Sequence, residues 1–286
     1  MVRARKRFGQ HWLRDEQVLH RILEAGDLQK VDRVLEIGPG TGLLTRWLVS
    51  LVAGVVAVEI DWDRCRQLNT EFEKEEKFLL IQGDFLDLDL DAKLEPHPFF
   101  QYPNKVVANI PYYITGPILE RLLGTLRRPN PRPYESIVLL LQKDVADRLY
   151  ARPGSRTFGA LSVRAQFLAD CELICPVPAK AFKPPPKVES AVVRLRPRPF
   201  PIPVRSPALF DQLVKLGFAQ KRKMLRNNLK GMIDRTVLTE ILTELKINPE
   251  ARAEALSIPS WVTLSNRISE TLAQDAGEAV KENAST

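Results

Sequence analysis

Between residues 31 and about 195, short apolar runs alternate with segments whose apolar residues recur at helical spacing. The apolar runs are continuous, which is typical of strands buried on both faces of a sheet. Alternating strands and helices predict an α/β fold, with a parallel sheet covered by helices on both faces. The predicted strands are Val34–Ile37, Val55–Ile60, Phe78–Ile81, Lys105–Ala108 and Ile137–Leu141, and the predicted helices are Leu43–Leu51, Asp63–Phe72, Ile114–Leu126 and Phe158–Leu168.

The pattern changes after the last of these helices. Two closely spaced apolar runs, 172–177 and 191–196, predict an antiparallel pair of strands at one edge of the sheet. The proline-rich stretch 196–207 excludes a helix or a central strand, because proline lacks a backbone donor, and we interpret it as a domain linker. We therefore predict an N-terminal arm over residues 1–14, an α/β domain over 15–200, a smaller all-α domain over 201–273 and a polar, disordered tail over 274–286.

A glycine-rich turn follows the first predicted strand. Its sequence, Glu36-Ile-Gly38-Pro-Gly40-Thr-Gly42, differs from the dinucleotide fingerprint G-x-G-x-x-G, because Leu43 stands where the third glycine is required. No Lys-Ser/Thr pair follows it, as a nucleotide P-loop requires. The loop therefore favours a ligand without a pyrophosphate and disfavours a nicotinamide-binding oxidoreductase.

Polar residues also follow the next three strands. Glu59 ends the second strand, where an acid of this fold class accepts hydrogen bonds from ribose hydroxyls. Asp84 follows the third strand and is placed to accept from an adenine amine, and Asn109 follows the fourth. The carboxyl ends of parallel strands meet in one crevice. Ribose, adenine and an amino-acid tail are the groups of S-adenosylmethionine, which we predict as the cofactor.

Asn109-Ile-Pro-Tyr112 suggests the chemistry of the crevice. The Asn109 side-chain oxygen and the carbonyl of Pro111 can accept the two hydrogens of a planar amine. The Tyr112 ring can stack on the base that carries this amine. The four residues together predict a site for amine methylation, although a strand ending in a proline-containing turn is the alternative for this stretch alone.

Composition and charge limit the kinds of partner that the protein is expected to bind. The chain has 286 residues, 44% of them hydrophobic, with no run that could span a membrane and no signal peptide at its N-terminus. Its three cysteines suggest a reducing cytoplasm and buried thiols rather than disulfides or a metal site. The net charge of +7 is concentrated in residues 1–14, 180–198 and 215–230. These segments predict contacts with nucleic-acid phosphates, and ordinary solvated surface is the alternative for each.

With these motifs in place, the chain strongly resembles the ribosomal RNA adenine dimethyltransferase family. The resemblance extends from about Arg5 to about Gly231 and also includes Lys6–Leu13, the distinctive Phe182–Val193 and a basic segment, Phe218–Leu229, that matches a helix of the family. It implies a Rossmann-like methyltransferase fold with a seven-stranded, mostly parallel sheet. It also implies that two adjacent adenosines, in a loop near the 3′ end of small-subunit ribosomal RNA, are dimethylated during subunit maturation.

The resemblance assigns roles residue by residue. His11 and Leu13 are expected to touch S-adenosylmethionine, although His11 and Trp12 stand where the family more often has Asn and Phe. Phe182 is expected to sandwich the target base with Tyr112; a core residue is the alternative, and its basic, proline-rich surroundings and the family match favour the site. The full set is Asn109, Pro111, Tyr112 and Phe182 for catalysis, His11, Leu13, Gly38, Glu59, Asp84 and Asn109 for the cofactor, and Arg5, Lys6, Lys183, Lys187, Lys221, Arg222 and Arg226 for RNA.

Two other functions share these motifs. One is methylation of large-subunit ribosomal RNA, as in antibiotic-resistance methylases. The other is a protein that binds RNA or DNA with this fold and does not methylate it. The proline-rich stretch around Pro185 and the basic segment 218–229 favour the small-subunit enzyme, and nothing in the sequence demands more than a monomer.

Overall fold

The computed structural model describes the backbone of residues 11–283 and the side chains of residues 11–274. The chain divides into two compact units. The first comprises residues up to 124 together with 130–147 and 169–198. The second comprises 125–129, 148–168 and 199 onward. The proline-rich stretch therefore contains the last crossing between the units, at residues 198–199.

The first unit is built on a seven-stranded sheet with the order β4-β3-β2-β5-β6-β9-β7. The first five of these strands run parallel, and β9 is antiparallel to both of its neighbours. A separate ribbon pairs β1 with β8. The strands are β1 Trp12–Leu13, β2 Arg33–Ile37, β3 Gly54–Glu59, β4 Phe78–Gln82, β5 Lys105–Asn109, β6 Ser136–Gln142, β7 Ala169–Val177, β8 Phe182–Lys183 and β9 Ser190–Pro197.

Helices accompany the sheet and form most of the second unit. Every residue of β3 is buried, as expected for a strand covered on both faces. The sequence analysis did not predict α1, whose N-terminus is capped by the Asp15 carboxylate. The helices are α1 Glu16–Gly26, α2 Leu43–Leu51, α3 Trp62–Glu71, α4 Leu90–Leu94, α5 Thr115–Leu123, α6 Lys143–Leu149, α7 Ala160–Leu168, α8 Pro207–Gly217, α9 Leu225–Asn228, α10 Arg235–Glu244 and α11 Ile258–Asn283.

The strand order determines what meets at the carboxyl edge of the sheet. β4, β3, β2 and β5 are successive neighbours, so the segments that follow them lie side by side. Asp84, Glu59, Gly38 and Asn109 therefore line one edge in that order. The β1–β8 ribbon, in which Leu13 is opposite Phe182, joins the N-terminal segment to the proline-rich segment after β8.

The second unit has its own apolar core. Phe210, Trp261 and Leu264 are fully enclosed within it. Trp261 packs so closely on Gly217, the last residue of α8, that an added Cβ there would lie 2.5 Å from the indole ring. This contact fixes where α8 ends.

The structure corrects several sequence predictions. The basic segment 215–230 is not one helix, because α8 ends at Gly217 and only the short α9 follows. The Asn228 amide donates to the carbonyls of Gly217 and Gln220, which holds the turn between these helices. Like charges four residues apart, such as Arg222 and Arg226, also disfavour a continuous helix.

Two further boundaries differ from the predictions. Helix α7, predicted within the α/β domain, belongs to the second unit. The predicted tail from residue 274 lies largely within α11, whose good helix formers extend it to Asn283. Among the described residues, no helix is both long and apolar enough to span a membrane.

Candidate active site

A crevice in the first unit opens at the carboxyl edge of the sheet. It is a concave cleft, partly open to solvent, as the sites of small ligands commonly are. Its walls come from the ends of β2, β3, β4 and β5 and from the segment that begins at His11. The lining residues are His11, Trp12, Ile37, Gly38, Gly40, Val58, Glu59, Ile60, Gly83, Asp84, Phe85, Asn109, Ile110, Pro111, Tyr113 and Ile114.

Glu59 is held rigidly at the end of β3. One carboxylate oxygen accepts the backbone N–H of Gly40 at 3.1 Å, and the other accepts that of Asp61 at 2.9 Å. The side chain is only 4% exposed, and burial raises its pKa. Each oxygen retains a lone pair, so this carboxylate can accept hydrogen bonds from two adjacent hydroxyls of a ribose.

A second acid lies beneath the glycine loop. Glu36 is fully buried in β2 and accepts a hydrogen bond from the Thr45 hydroxyl at 2.7 Å. Burial raises the pKa of Glu36 to about 8, and the nearby Glu59 charge adds to this effect. The carboxyl is therefore mostly protonated at neutral pH in the protein without a ligand. Positive charge on a ligand beside the loop would favour the ionised form of Glu36, so the two acids together favour a cationic ligand.

The glycine loop requires glycine at positions that face the crevice. Gly38 and Gly40 have φ angles of +69° and +56°, in the region that disfavours side chains. A Cβ on Gly38 would meet only the Asn109 carbonyl, 4.0 Å away, so this backbone faces open space where a ligand can approach closely. A Cβ on Gly40 would lie 3.3 Å from the Trp12 ring, which covers the loop.

The crevice has an aromatic wall at the β4 end. The Asp84 carboxylate accepts the backbone N–H of Leu86 at 2.9 Å, which leaves its second oxygen for a ligand amine. Phe85 is buried beside it, and the guanidinium of Arg121 lies 4.7 Å from the centre of its ring. Arg121 also donates to the carbonyls of Leu86 and Leu88. These contacts fix the turn that carries Asp84.

The Asn109 amide is oriented at the opposite side of the crevice. Its nitrogen donates to the carbonyl of His11 at 3.1 Å. Since a carbonyl can only accept, this contact assigns the amide nitrogen and leaves the Asn109 side-chain oxygen to accept from a ligand. The nearby Pro111 carbonyl accepts only a long hydrogen bond, 3.3 Å, from the Ile114 N–H. Two acceptors therefore lie close together on the Asn109–Pro111 segment.

Two tyrosines follow these acceptors. Tyr112 donates to or accepts from the Ser190 hydroxyl at 2.5 Å, and burial raises its pKa. Its ring is roughly parallel to that of His11, with centroids 5.9 Å apart. Tyr113 is 61% exposed and lines the crevice, which Tyr112 does not. Both rings are near the two acceptors, and Tyr113 was not among the predicted site residues.

The structure brings most of the predicted cofactor residues to the crevice but not all of them. His11, Gly38, Glu59, Asp84 and Asn109 line it. Leu13 lines a smaller adjoining cavity behind the glycine loop, together with Leu19 and Glu36.

Phe182 lies elsewhere than predicted. It is 4% exposed and packs in the apolar core, because its place in β8, opposite Leu13, directs the ring inward. In this structure Phe182 cannot sandwich a base, so the role predicted for it is wrong.

The predicted RNA-binding residues fall into separate groups. Lys183 and Lys187 are exposed in the first unit, and Lys221 and Arg222 are exposed in the second. Arg226 differs, because its side chain is only 17% exposed and lies 3.7 Å from Glu250. Its guanidinium is therefore largely enclosed rather than displayed. Arg5 and Lys6 lie outside the described residues.

Sequence reasoning missed the walls of the crevice. Trp12, Phe85 and Tyr113 line it, and Arg121 stabilises it from behind. Phe85 directly follows Asp84, and Tyr113 directly follows Tyr112. Their positions next to predicted site residues could therefore have identified them. Arg121 carried no such signal, because its role depends on contacts with residues more than 30 positions earlier in the chain.

The arrangement defines a class of protein. The parallel sheet, the buried acid at the end of β3, the glycine loop without pyrophosphate spacing and the free acceptor oxygen of Asn109 are typical of a Rossmann-like, S-adenosylmethionine-dependent methyltransferase. The open backbone at Gly38 and the acids at its sides suit the close approach of a positively charged sulfonium compound. Solved structures agree with this class. A dimethyladenosine transferase from Plasmodium falciparum matches with a TM-score of 0.73 and 25% identity, covering 89% of this chain and 96% of that one.

The sequence comparisons identify the family. Residues 1–270 match the family model described as ribosomal RNA adenine dimethylase, and the chain belongs to this family. A protein of Trichormus variabilis named ribosomal RNA small subunit methyltransferase A is 62% identical over 93% of this chain and 98% of its own length. A relative of the same name from Nostoc punctiforme is 59% identical, covering 94% of this chain and 96% of its own. The solved 23S rRNA methyltransferase ErmE is 27% identical, with a TM-score of 0.70 over 90% of this chain and 98% of that one.

Proposed function

We propose that this protein dimethylates two adjacent adenosines, in a loop near the 3′ end of small-subunit ribosomal RNA, and so contributes to maturation of the subunit. The observation that carries the reaction type is the Asn109 amide, whose hydrogen bond to His11 leaves its oxygen as an acceptor beside the cofactor crevice. The choice of RNA rests on the relatives, because the chain shares 62% identity with a small-subunit enzyme and 27% with the solved large-subunit one.

The cofactor is S-adenosylmethionine, which supplies an activated methyl group on a sulfonium when bound. Following the order of the strands, Asp84 would hold the adenine, Glu59 the ribose hydroxyls and the glycine loop the amino-acid tail. The loop follows β2, which is next to β5, so Asn109 would be the polar residue nearest the methyl donor. Glu36 and Glu59 stabilise the positive charge of this ligand.

The chain's own contribution to the reaction is positioning. The amine of adenine is a poor nucleophile, because its lone pair is delocalised into the ring. By accepting the amine hydrogens, the Asn109 oxygen and the Pro111 carbonyl orient the nitrogen and favour a pyramidal geometry in which the lone pair is available. The bound cofactor would supply its methyl group to this nitrogen and leave as the thioether, and the nitrogen would then release its proton. Stacking of the base on Tyr112 contributes about 1–3 kcal/mol.

The basic side chains are proposed to hold the RNA backbone. Exposed Lys183 and Lys187 serve in the first unit, and exposed Lys221 and Arg222 serve in the second. A loop is a favourable target, because a base there is extruded at lower cost than a paired base. We further propose that the protein acts as a cytoplasmic monomer on a precursor of the small subunit. Three free cysteines are compatible with such a reducing compartment.

The decisive experiment compares wild-type protein with Asn109→Ala on unmethylated small ribosomal subunits. Nucleosides are quantified by mass spectrometry after incubation with S-adenosylmethionine. The wild type should form two dimethyladenosines per subunit, and Asn109→Ala should lower the rate by roughly 100- to 1,000-fold, the effect of removing one preorganised polar contact to the reacting group. RNA binding should be retained. Full activity of the variant would contradict the role of Asn109, and product only on large subunits would contradict the choice of RNA.

Charge reversal tests the RNA surface separately. Lys221→Glu with Arg222→Glu should weaken binding of the small subunit and reduce the slope of log affinity against log salt by about 2, since two phosphate contacts are lost. Glu240→Lys, on an exposed part of the second unit's polar surface, alters charge without removing a proposed contact and serves as the control. An unchanged slope would mean that these cations are ordinary solvated surface.

A further inference from the structure

The Tyr112 ring is held at two points, by Ser190 outside the crevice and by His11, which lines it. Its hydroxyl is 2.5 Å from the Ser190 hydroxyl, and its face lies against the His11 ring at an interplanar angle of 19°. Ser190 is completely buried at the start of β9, where its backbone pairs with Gln142 on one side and Val177 on the other. A serine fixed between two strands provides a rigid anchor for the hydroxyl.

His11 is itself fixed. Its Nδ1 is 2.8 Å from the Pro184 carbonyl, and since a carbonyl can only accept, Nδ1 carries the proton. Its own carbonyl accepts the Asn109 amide. Through these contacts, His11 links Asn109, Tyr112 and the backbone at Pro184.

We propose that Ser190 and His11 are positioning residues that hold Tyr112 and thereby control whether the target nitrogen receives its second methyl group. This proposal rests on the proposed function. A primary amine offers two hydrogens, one for Asn109 and one for Pro111. After the first transfer only one hydrogen remains, so one of the two polar anchors is lost. Stacking on a fixed Tyr112 ring then contributes a larger share of the alignment for the second transfer.

The experiment measures the ratio of monomethyladenosine to dimethyladenosine on unmethylated small subunits. Ser190→Ala and Tyr112→Phe both remove the same hydrogen bond. At equal progress of the first transfer, each should raise the ratio about fivefold, the effect of one ordinary hydrogen bond. The double variant should show no more than either single one. Binding of S-adenosylhomocysteine should stay within twofold of wild type.

Ser136→Ala is the matched control. Ser136 is also a buried strand serine in the first unit, but its hydroxyl has no hydrogen-bond partner among the described residues, and it does not line the crevice. Its product ratio should equal that of wild type. A general loss of stability in Ser190→Ala would reduce the amount of active protein without changing the ratio. Tyr112 is partly exposed, so we expect Tyr112→Phe to fold. It therefore tests the same hydrogen bond even if Ser190→Ala does not fold.

His11→Ala tests the second contact. It should raise the same ratio, with little change in the affinity for S-adenosylhomocysteine. A tenfold loss of that affinity with an unchanged ratio would make His11 a cofactor ligand only and overturn its assignment here.

Equal slowing of both transfers in Ser190→Ala and Tyr112→Phe, or additive effects in the double variant, would overturn the assignment of Ser190. These outcomes are distinct from failure of the proposed function, in which wild-type protein itself forms no methylated adenosine.

Discussion

The two sides of the crevice are organised over different distances along the chain. On the cofactor side, Glu59 is held by backbone N–H groups 2 and 19 residues away. On the acceptor side, Asn109, Tyr112 and His11 are held by partners between 78 and 173 residues away. The contacts that hold Glu59 thus lie within one βαβ unit, whereas the acceptor side needs the N-terminal segment, β5 and β9 to be in place together.

This difference implies that substitutions on the two sides affect different steps, cofactor binding on one side and methyl transfer on the other. A change on the cofactor side should alter affinity for S-adenosylmethionine and leave methyl transfer at saturation largely intact. A change on the acceptor side should do the reverse, as proposed for Asn109. If an acceptor-side variant lost affinity for the cofactor, or a cofactor-side variant lost turnover at saturation, this difference between the two sides would be contradicted.

The largest effect on the cofactor side is expected for Glu59→Gln. Both carboxylate oxygens of Glu59 accept backbone N–H groups, but glutamine has only one such oxygen. One backbone N–H must then face an NH₂ group, at a cost of about 1–3 kcal/mol. This cost lowers the stability of the protein. Because the NH₂ group also cannot accept from a ribose hydroxyl, we expect affinity for S-adenosylhomocysteine, measured by calorimetry, to fall by about 10- to 100-fold.

The control for this variant is Glu71→Gln. Glu71 forms an ion pair with Arg46 near the surface of the same unit and does not line the crevice. Its substitution should leave the affinity unchanged. If Glu59→Gln retained wild-type affinity, the ribose contact proposed for Glu59 would be wrong.

A smaller effect is expected for Gly40→Ala, which tests where the two sides meet. The new Cβ adopts an unfavourable φ of +56° and lies 3.3 Å from Trp12 of the N-terminal segment. The left-handed conformation alone costs about 1 kcal/mol. Affinity for S-adenosylhomocysteine should fall about fivefold, with a lower melting temperature.

Gly116→Ala provides the comparison for this substitution. A Cβ on Gly116, in the first turn of α5, has no neighbour within 4 Å, and alanine favours the helix. This variant should be at least as stable as the wild type. Equal behaviour of the two alanine variants would show that the glycine loop tolerates a side chain and that Trp12 does not constrain it.

The same contrast in distance explains what could be predicted from the sequence. Patterns within a few residues predict the strands of the sheet, the glycine loop, Glu59, Asp84 and Asn109. In the structure, the loop and these three side chains lie at one edge of the sheet. The role of Ser190 could not be predicted, because it depends on β9 lying beside β6 and β7.

The errors have a similar origin. Phe182 was assigned to the crevice from its basic, proline-rich neighbours, but its pairing with β1 directs it into the core. The basic segment 215–230 was assigned to one helix, but α8 ends at Gly217, and the Asn228 amide holds the turn that follows by donating to the Gly217 and Gln220 carbonyls. Tertiary contacts overrode the local pattern in both cases.

The last prediction concerns stability rather than affinity and involves Glu36, the buried acid of the cofactor side. Burial raises its pKa from an ordinary 4.5 to about 8 in the folded protein. Between these values the folded protein holds a proton that the unfolded chain has released. The free energy of unfolding contributed by Glu36 therefore falls as pH rises through this window, by at most about 1.4 kcal/mol per pH unit, and levels off above pH 8.

Glu36→Gln isolates this contribution. Glutamine stays neutral at every pH, and its oxygen can still accept from the Thr45 hydroxyl. Urea unfolding at pH 5, 6.5 and 8 should show the variant gaining stability relative to wild type as pH rises, because only the unfolded wild type is stabilised by releasing a proton that the folded protein retains. Parallel curves for the two proteins would contradict a raised pKa. Saturation with S-adenosylmethionine should weaken the trend in the wild type, since a positively charged ligand beside Glu36 favours its ionised form.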